Sequence, residues 1–334
     1  MGIIELSNAS KRFGDVTALD GVDLVIEEGE IFGFLGPNGA GKSTTIDMLL
    51  DFVRPTEGTV RVFGMDPRSE GSAVRQRVGV LPDGYHVYDR LTGRQHVQFA
   101  IDSKGADDDP DALLKRVGIA DAADRKAGGY SKGMRQRLVL AVALVGEPDL
   151  LILDEPSTGL DPAGAREMRT IIREEQARGA TVFFSSHVLE QVEAVADRVG
   201  ILRAGELVAV DTIDGLREAV GGDTVLTVEA DAIPTEAIDA VEALPGVTGV
   251  IAHEGEVVVD CAAEAKWSIM RTLEDFGVDV RDFRTAESSL EDLFVAYTAG
   301  DAAGVSVDGS DGMTADEAGN VLADESAEPA EVRR

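Results

Sequence analysis

The sequence predicts an α/β fold over most of the chain, followed by a smaller α+β module. From residue 1 to about residue 215, short β-rich runs alternate with segments of helical periodicity. Three of the runs, residues 31–36, 149–155 and 180–187, predict buried strands, and the last two are almost continuously apolar. Because such runs are typical of strands that are covered on both faces, they indicate a buried parallel sheet.

The C-terminal part, residues 222–299, is predicted to contain a strand, a helix, a hairpin, a second helix, a strand and a final helix from Ser289. This βαββαβ order predicts a ferredoxin-like module. Residues 300–334 are small and acidic and include no aromatic side chain, so they cannot bury enough apolar surface to offset their ordering entropy. We expect this acidic tail to be disordered.

The net charge limits the classes of partner. The chain has 62 acidic and 31 basic residues, a formal net charge of −31. Such a charge repels polyanions, which disfavours a broad nucleic-acid-binding face. An acidic, lysine-poor surface also suits a salt-rich cytosol, so one hypothesis is a halophilic protein, and the alternative is a mesophilic protein with an acidic tail.

The sequence shows no pattern for export or for crossing a membrane. No apolar run approaches the roughly 18 residues that a membrane-spanning helix requires. The N-terminal stretch does not follow the signal-peptide pattern, so we expect the protein to stay in the cytosol. A single cysteine, Cys261, excludes an internal disulfide and a Cys-based zinc site.

A glycine-rich loop predicts a nucleotide-binding site. The stretch GPNGAGKST, Gly36–Thr44, matches G-x-x-x-x-G-K-[ST] and joins a predicted strand to a predicted helix. Its backbone N–H groups and the helix N-terminus favour phosphate oxygens. Lys42 can reach the β- and γ-phosphates, and the Ser43 hydroxyl can bind Mg²⁺. The phosphate-binding candidates are Gly36, Asn38, Gly39, Ala40, Gly41, Lys42, Ser43 and Thr44. Alone, the motif leaves kinases, GTPases and helicases open.

Two carboxylates follow a second buried strand. In LLILDEPSTGLDP, Asp154 and Glu155 stand at the carboxyl end of the strand, where α/β sheets bind ligands. We predict that Asp154 holds Mg²⁺ and that Glu155 positions or deprotonates the attacking water. His187 ends the third buried strand, within reach of the γ-phosphate, although a lone histidine is more often structural. The predicted catalytic residues are thus Lys42, Glu155 and His187.

These motifs, together with YSKGM at residues 130–134 and TGLD at 158–161, follow the order found in ATP-binding subunits of ABC transporters. The chain resembles that family over residues 1–215. The resemblance implies a P-loop ATPase cassette with a RecA-like core and a helical subdomain at about residues 84–145, with ATP and Mg²⁺ as cofactors. It also implies that Phe13 stacks on adenine, the alternative being a core phenylalanine.

The turn Ser131–Lys132–Gly133 is the family's signature element. Ser131 is a predicted helix N-cap, and Gly133 has no side chain, so an anion can approach this helix N-terminus closely. In the family, this turn faces the nucleotide of the opposite subunit. Ser131, Lys132 and Gly133 are therefore expected to complete the site of a second ATPase subunit, a copy of the chain or a close paralogue. Asp161 resembles the residue that communicates across that interface.

The chain departs from the family at Asp83, where glutamine is usual. A carboxylate can still bind Mg²⁺, but it is shorter than glutamine and adds negative charge beside the phosphates. We therefore predict that the linkage between this loop and the nucleotide works but is altered. A groove in the helical subdomain is expected to accept a short helix of the membrane partner. Five side chains could line it or could be packing residues: Tyr85, Val87, Tyr88, Val97 and Phe99.

The function that the resemblance implies is ATP hydrolysis that drives a separate transmembrane permease subunit. The chain would lie on the cytoplasmic face of the cell membrane, held by that permease. The stretch YSKGMRQRL and the extension containing SSLEDLFVAYT resemble ATPases of ABC-2-type exporters. The alternative class is a soluble ABC ATPase acting on ribosomes or nucleic acid, which the single cassette and the lack of long heptad repeats disfavour. A third possibility is that the C-terminal module senses a ligand.

Overall fold

Three β-sheets organise the part of the chain that the computed structural model describes, residues 2–219, 224–230, 233–253 and 255–286. The strands are β1 (Gly2–Phe13), β2 (Val16–Glu27), β3 (Ile31–Leu35), β4 (Glu57–Val62), β5 (Val78–Leu81), β6 (Leu150–Asp154), β7 (Thr181–Ser186), β8 (Arg198–Arg203), β9 (Glu206–Asp211), β10 (Thr224–Ala230), β11 (Val247–His253), β12 (Glu256–Cys261) and β13 (Val280–Ala286). The helices are α1 (Lys42–Leu49), α2 (Gly71–Arg77), α3 (Gly93–Lys104), α4 (Pro110–Arg116), α5 (Lys132–Ala143), α6 (Pro162–Arg178), α7 (Leu189–Glu193), α8 (Ile213–Ala219), α9 (Thr235–Glu242) and α10 (Lys266–Asp275). The predicted helix from Ser289 and the predicted disordered tail lie outside the described residues.

The largest sheet has the order β5-β6-β7-β3-β8-β9. Its first five strands are parallel, and β9 runs antiparallel to β8. Every residue of β3, β6 and β7 is buried, which confirms the three buried strands predicted from their apolar runs. The fold is therefore the predicted α/β class with a parallel core.

Alternation along the buried strands divides the interior into two hydrophobic cores. On one face of the sheet, Phe32, Phe34 and Phe183 pack with apolar residues of β1, β2 and α1. On the other face, residues such as Leu153 and Phe184 pack against α3, α5 and α6. Because successive side chains of a strand point to opposite faces, a continuous apolar run supplies both cores at once.

A second sheet, of order β2-β1-β4, is antiparallel and covers the core that contains Phe32, Phe34 and Phe183. Its inward residues alternate with exposed ones, most regularly in β2, as expected for a sheet with one solvated face. This sheet carries the N-terminal end of the chain up to Phe13, the predicted adenine-stacking residue. It also packs against α1, the helix that follows the phosphate loop.

Helices α3, α4 and α5 fall within the predicted helical subdomain. Each begins at a side-chain cap, supplied by Thr92, Asp109 and Ser131 respectively. Such caps satisfy backbone N–H groups that have no partner inside the helix. Of the two alternatives for Val97, groove lining and packing, the structure supports packing, because this side chain is fully buried (0% exposed) in the core of the subdomain.

The C-terminal module has the predicted βαββαβ order. Its sheet is antiparallel throughout, with the order β11-β12-β10-β13, and α9 and α10 contribute to its hydrophobic core. Buried and partly exposed residues alternate along β10 and β12. This arrangement confirms the ferredoxin-like prediction. Cys261 is fully buried in that core, consistent with a small apolar packing residue.

None of the helices in the described ranges combines the length and the apolar character needed to cross a lipid bilayer.

The aromatic cluster under the central sheet supplies a test of the fold. The ring of Phe183 lies 6.1 Å from that of Phe32 and 5.4 Å from that of Phe34, measured between centroids. We expect Phe183→Ala to lower the free energy of unfolding by about 3–5 kcal/mol, because it removes a large buried side chain and leaves a cavity. Urea unfolding followed by circular dichroism measures this change.

The matched control is Phe52→Ala, because Phe52 is 71% exposed. We expect this change to alter the free energy of unfolding by less than about 0.5 kcal/mol. Equal losses for the two variants would contradict the assignment of Phe183 to the core.

Candidate functional site

The site lies at the carboxyl ends of three neighbouring parallel strands. β6, β7 and β3 are adjacent in the sheet, and they are followed by Glu155, by His187 and by the loop that starts at Gly36. The register pairs Asp154 with Ser185 and Leu35 with Ser186. Parallel pairing thus brings residues that are distant in sequence to one edge of the sheet, where α/β folds bind ligands.

The predicted phosphate loop is an open turn that leads into α1. Gly36 and Ala40 are buried, whereas the tip of the loop, residues 37–39, is exposed. Gly39 and Gly41 have φ values of 83° and 114°, which disfavour any residue with a side chain. A Cβ atom at Gly36 would lie 2.5 Å from the carbonyl oxygen of Leu202, so a side chain at this position would clash with the backbone of Leu202.

Lys42 is the buried cation of the loop. Its Nζ donates to the carbonyl oxygen of Gly36 at 2.6 Å and lies 3.8 Å from Oε1 of Glu155. Burial lowers the pKa of Lys42, and the negative charges of Glu155 and Asp154 act in the opposite direction. The ammonium group therefore lies between the carbonyls of the loop and two carboxylates, in the position from which a phosphate could be contacted.

Ser43 and Asp154 form a pair of hard oxygen donors. The Ser43 hydroxyl donates to Oδ2 of Asp154 at 3.2 Å, and the other carboxylate oxygen accepts from Ser185. Among the described residues there is no group of three or more His, Cys, Asp or Glu side chains that could hold a metal ion. A hydroxyl and one carboxylate fit Mg²⁺, which is commonly bound by one or two carboxylates together with substrate phosphates and water.

Glu155 begins a turn instead of continuing the strand. β6 ends at Asp154, and Glu155 has a φ of 51°, in the left-handed region that residues other than glycine rarely occupy. The backbone turn at Glu155 thus separates the two carboxylates. Oε2 of Glu155 lies 2.8 Å from Nδ1 of His187, and the His187 ring is about half exposed.

The predicted signature turn lies on another part of the same chain. Ser131 is the N-cap of α5 and accepts the N–H of Met134 at 3.3 Å, as predicted from the sequence. A Cβ on Gly133 would lie 3.4 Å from the nearest atom, in Leu160, and Asp161 caps α6. Within the described residues, no hydrogen bond or ion pair joins Ser131, Lys132 or Gly133 to Lys42, Ser43, Asp154 or Glu155.

Phe13 and Asp83 are on the surface. Phe13 is 48% exposed, and Nζ of Lys11 lies 4.8 Å from its ring centroid, so Phe13 is not a core side chain. Asp83 is exposed and follows β5, the edge strand that pairs with β6. Asp83 therefore stands at the same edge of the sheet as Asp154, and no hydrogen bond among the described residues joins the two side chains.

Two polar side chains at the site were not predicted. Ser185 is fully buried and contacts both acidic residues, and the buried amide of Gln136 donates to the carbonyl of Pro156, just after Glu155. A signal existed for Ser185, because a polar residue inside an otherwise apolar buried strand requires a hydrogen-bond partner. The partner itself depends on how the strands pair, which the local sequence does not specify.

Comparisons with known proteins agree with this geometry. Residues 19–158 match the family model described as ABC transporter, and residues 212–298 match the C-terminal domain of DrrA1-3-like ATP-binding proteins. The chain is 35% identical to the daunorubicin resistance ATP-binding protein DrrA3 of Streptomyces coeruleorubidus, over 89% of this chain and 96% of that protein. It is 31% identical to the linearmycin resistance ATP-binding protein LnrL of Bacillus subtilis, over 89% and 98%. The chain belongs to the ATP-binding proteins of ABC transporters.

Solved structures extend the likeness to the fold of the cassette. The structure of an ATP-binding subunit of an ABC transporter is 28% identical, with a TM-score of 0.61, over 66% of this chain and 93% of that one. A dimeric ATP-binding cassette bound to ADP and Pi is 25% identical, with a TM-score of 0.58, over 63% and 98%. The resemblance predicted from the motifs is confirmed, and this ABC ATPase is an enzyme of the ATP-hydrolysing class. A ribosome-acting ATPase is not favoured.

Two glycines of the ABC ATPase should respond differently to the same substitution. Gly36→Ala places a methyl group against the Leu202 carbonyl, so we expect it to lower the free energy of unfolding by about 1–3 kcal/mol and to weaken ATP binding. Gly133 lies in the first turn of α5 with room for a methyl group. We expect Gly133→Ala to leave stability unchanged or to raise it by up to about 1 kcal/mol, since alanine favours helix.

Thermal unfolding and binding of a fluorescent ATP analogue to both variants test this contrast. A destabilised Gly133→Ala protein, or an undisturbed Gly36→Ala protein, would contradict the packing described for the two loops.

Proposed function

We propose that this chain is the energy-coupling ATPase of an ABC-2-type exporter that removes an antibiotic-type compound through a separate permease. The observation that carries the proposal is the similarity to antibiotic-resistance ATP-binding proteins over both the cassette and the C-terminal module. Bacitracin transport ATP-binding protein BcrA of Enterococcus faecalis, 32% identical over 87% of this chain and 95% of that protein, adds a third named antibiotic. We assign the cassette to residues 1–215 and the accessory module to 222–299.

The proposed chemistry is attack of water on the γ-phosphate of ATP, which releases ADP and phosphate. Phe13 stacks on the adenine, and the backbone of residues 36–44 binds the phosphates. Lys42, which now donates to loop carbonyls, transfers its hydrogen bonds to phosphate oxygens. Glu155 orients the attacking water and accepts its proton, while His187 holds the Glu155 carboxylate through the contact already present and faces the γ-phosphate.

We propose that Ser43 and Asp154 hold Mg²⁺ and that Asp83 approaches it directly or through water. The metal, when bound, neutralises charge on the β- and γ-phosphates. Asp83 brings a carboxylate to a place where the family usually has a neutral amide. The extra negative charge repels the triphosphate, so the linkage between this loop and the nucleotide works but is altered.

The signature turn supports a site shared between two chains. A phosphate loop covers one side of the triphosphate and leaves the γ-phosphate open to water. Ser131, Lys132 and Gly133 form a helix N-terminus, and among the hydrogen bonds and ion pairs of the described residues none ties it to the phosphate loop. We propose that they cap the nucleotide of a second ATPase subunit, either an identical chain or a close paralogue, as the dimeric solved cassette suggests.

A groove in the helical segment supports docking on the permease. It has a volume of about 550 Å³, and it is bounded by the loop after β5 together with α3 and α5. Its aromatic and aliphatic lining includes Tyr85, Val87, Tyr88, Phe99 and Val142. A short amphipathic helix of the permease fits such a groove and would hold the chain at the cytoplasmic face of the membrane.

Mixing two defective variants tests the shared site. Lys42→Ala removes the phosphate-loop cation, and Gly133→Asp places a negative charge where the partner's γ-phosphate would lie. Each variant alone should be inactive. In an equal mixture half of the dimers are mixed and contain one complete site, so about a quarter of the wild-type turnover should return.

The control for this mixing experiment is Lys42→Ala combined with an inactive Lys42→Ala, Gly133→Asp double variant, a pair that cannot form a complete site. Full turnover by Gly133→Asp alone, or by a chain shown to remain monomeric, would contradict the proposal.

The export function is tested by purification with the membrane fraction. In detergent extracts, the wild-type chain should co-purify with a protein that has several membrane spans. Phe99→Ala and Tyr88→Ala should reduce this recovery about tenfold, because each removes an exposed aromatic side chain of the groove. Phe52→Ala, an exposed aromatic residue outside the groove, is the control and should leave the recovery unchanged. Recovery with ribosomes or nucleic acid instead would favour the soluble alternative.

A further inference from the structure

A single buried hydroxyl connects the two acidic residues of the site. Ser185 lies in β7 with none of its surface exposed, beside Asp154 in the register of the parallel sheet. Its Oγ donates to Oδ1 of Asp154 at 2.5 Å and accepts the backbone N–H of Glu155 at 3.1 Å. The residue therefore contacts the proposed metal-holding side chain and the backbone of the proposed general base at the same time.

The chemistry of the three groups allows one arrangement of the proton. A backbone N–H only donates, and an ionised carboxylate only accepts, whereas a hydroxyl has one proton and two lone pairs. The proton of Ser185 must therefore point to Asp154, and a lone pair must point to Glu155. A hydrogen bond to an ionised acceptor is shorter and stronger than a neutral one, so this contact restrains the orientation of the Asp154 carboxylate.

We propose that Ser185 is a positioning residue for ATP hydrolysis, and this proposal rests on the roles proposed above for Asp154 and Glu155. By holding Oδ1 of Asp154, Ser185 turns Oδ2 towards Ser43, where Mg²⁺ would be bound. By accepting the N–H of Glu155, it supports the left-handed backbone that directs this carboxylate towards Lys42 and His187. Ser185 touches no reacting atom and acts through its two neighbours.

Other hydroxyls of β7 provide a comparison. Ser186, the next residue, is also buried but bonds to the backbone of Val188. Thr181, at the start of the strand, is fully buried and accepts the N–H of Gly29 at 2.8 Å. Thr181→Val therefore deletes a buried hydroxyl from the same strand and leaves a backbone N–H unpaired, at the strand end away from the site. It is the matched control for Ser185→Ala.

The experiment uses the full chain and two measurements. The first is the affinity for a fluorescent ATP analogue, without turnover, as a function of Mg²⁺ concentration. The second is steady-state ATP hydrolysis, resolved into kcat and KM. For Ser185→Ala we expect the analogue affinity without Mg²⁺ to be unchanged. We expect the Mg²⁺ concentration that gives half of the maximal change in analogue affinity to rise by about 10- to 100-fold, and kcat to fall by a similar factor. Such losses are usual when a hydrogen-bond partner of a metal ligand is removed.

Three further variants make the result specific. Ser185→Thr keeps the hydroxyl and should recover most of the Mg²⁺ response and of kcat. Thr181→Val should unfold at a lower temperature and yet keep the wild-type Mg²⁺ response. If Ser185→Ala does not fold, Ser185→Cys replaces it in the experiment, because cysteine keeps the volume and has only a weak S–H donor. We expect the same changes for this variant as for Ser185→Ala.

The proposal is overturned if Ser185→Ala, or Ser185→Cys in its place, matches wild type in both measurements. It is also overturned if Thr181→Val shows the same losses of Mg²⁺ response and kcat. Asp154→Asn separates this failure from failure of the proposed function. If Asp154→Asn abolishes the Mg²⁺ response while loss of the Ser185 hydroxyl does not, only the positioning role is wrong. If the wild-type chain shows no Mg²⁺-dependent hydrolysis, the proposed function itself is wrong.

Discussion

The parallel pairing of β6, β7 and β3 is the constraint on which the rest of the site depends. Asp154 and Ser185 are opposite each other in the register, and Ser185 is in turn opposite Phe34, which Leu35 separates from the start of the phosphate loop. A shift of one residue would turn each side chain of β7 to the other face of the sheet. The aromatic side chains of β3 and β7 would then leave their common core, so the packing that stabilises the sheet also fixes the polar contacts at its edge.

Among the described residues, the acidic charge at this edge of the sheet is only partly compensated. Asp154 and Glu155 supply two negative charges, and Lys42 is the buried cation between them and the loop carbonyls. ATP adds several negative charges to this small volume, so binding requires more positive charge than Lys42 carries. In the proposed mechanism, backbone N–H groups of the loop, the N-terminus of α1 and a divalent cation would supply the difference. The same requirement accounts for Gly36, Gly39 and Gly41 in the loop, because residues without a side chain permit close approach of the backbone to phosphates.

The features predicted from sequence are those that a short segment encodes. Glycine spacing specifies the phosphate loop, four apolar residues followed by two acidic ones specify the end of β6, and the order of strands and helices specifies the C-terminal module. The role of Ser185 could not be predicted, because its partner Asp154 is 31 residues away and is chosen by strand pairing. The sequence left Val97 open between the groove and the core for a related reason: helical periodicity defines a face of α3, and only the packing of α5 against it decides whether that face is buried.

Within one chain, contacts also connect the signature turn to the turn that carries Glu155. The amide of Gln136, one turn after the signature residues, donates to the carbonyl of Pro156, and the Lys132 side chain packs beside Gly159 in the segment that leads to Asp161. The signature turn is therefore attached to the turn that carries Glu155 of its own chain. In the proposed dimer, a signature turn that moves with the partner's nucleotide would displace the turn at Glu155, the proposed general base of its own chain. Hydrolysis at one site would then alter the geometry of the other site. The movement of either signature turn would also move the helical subdomain, which lines the groove proposed for the permease.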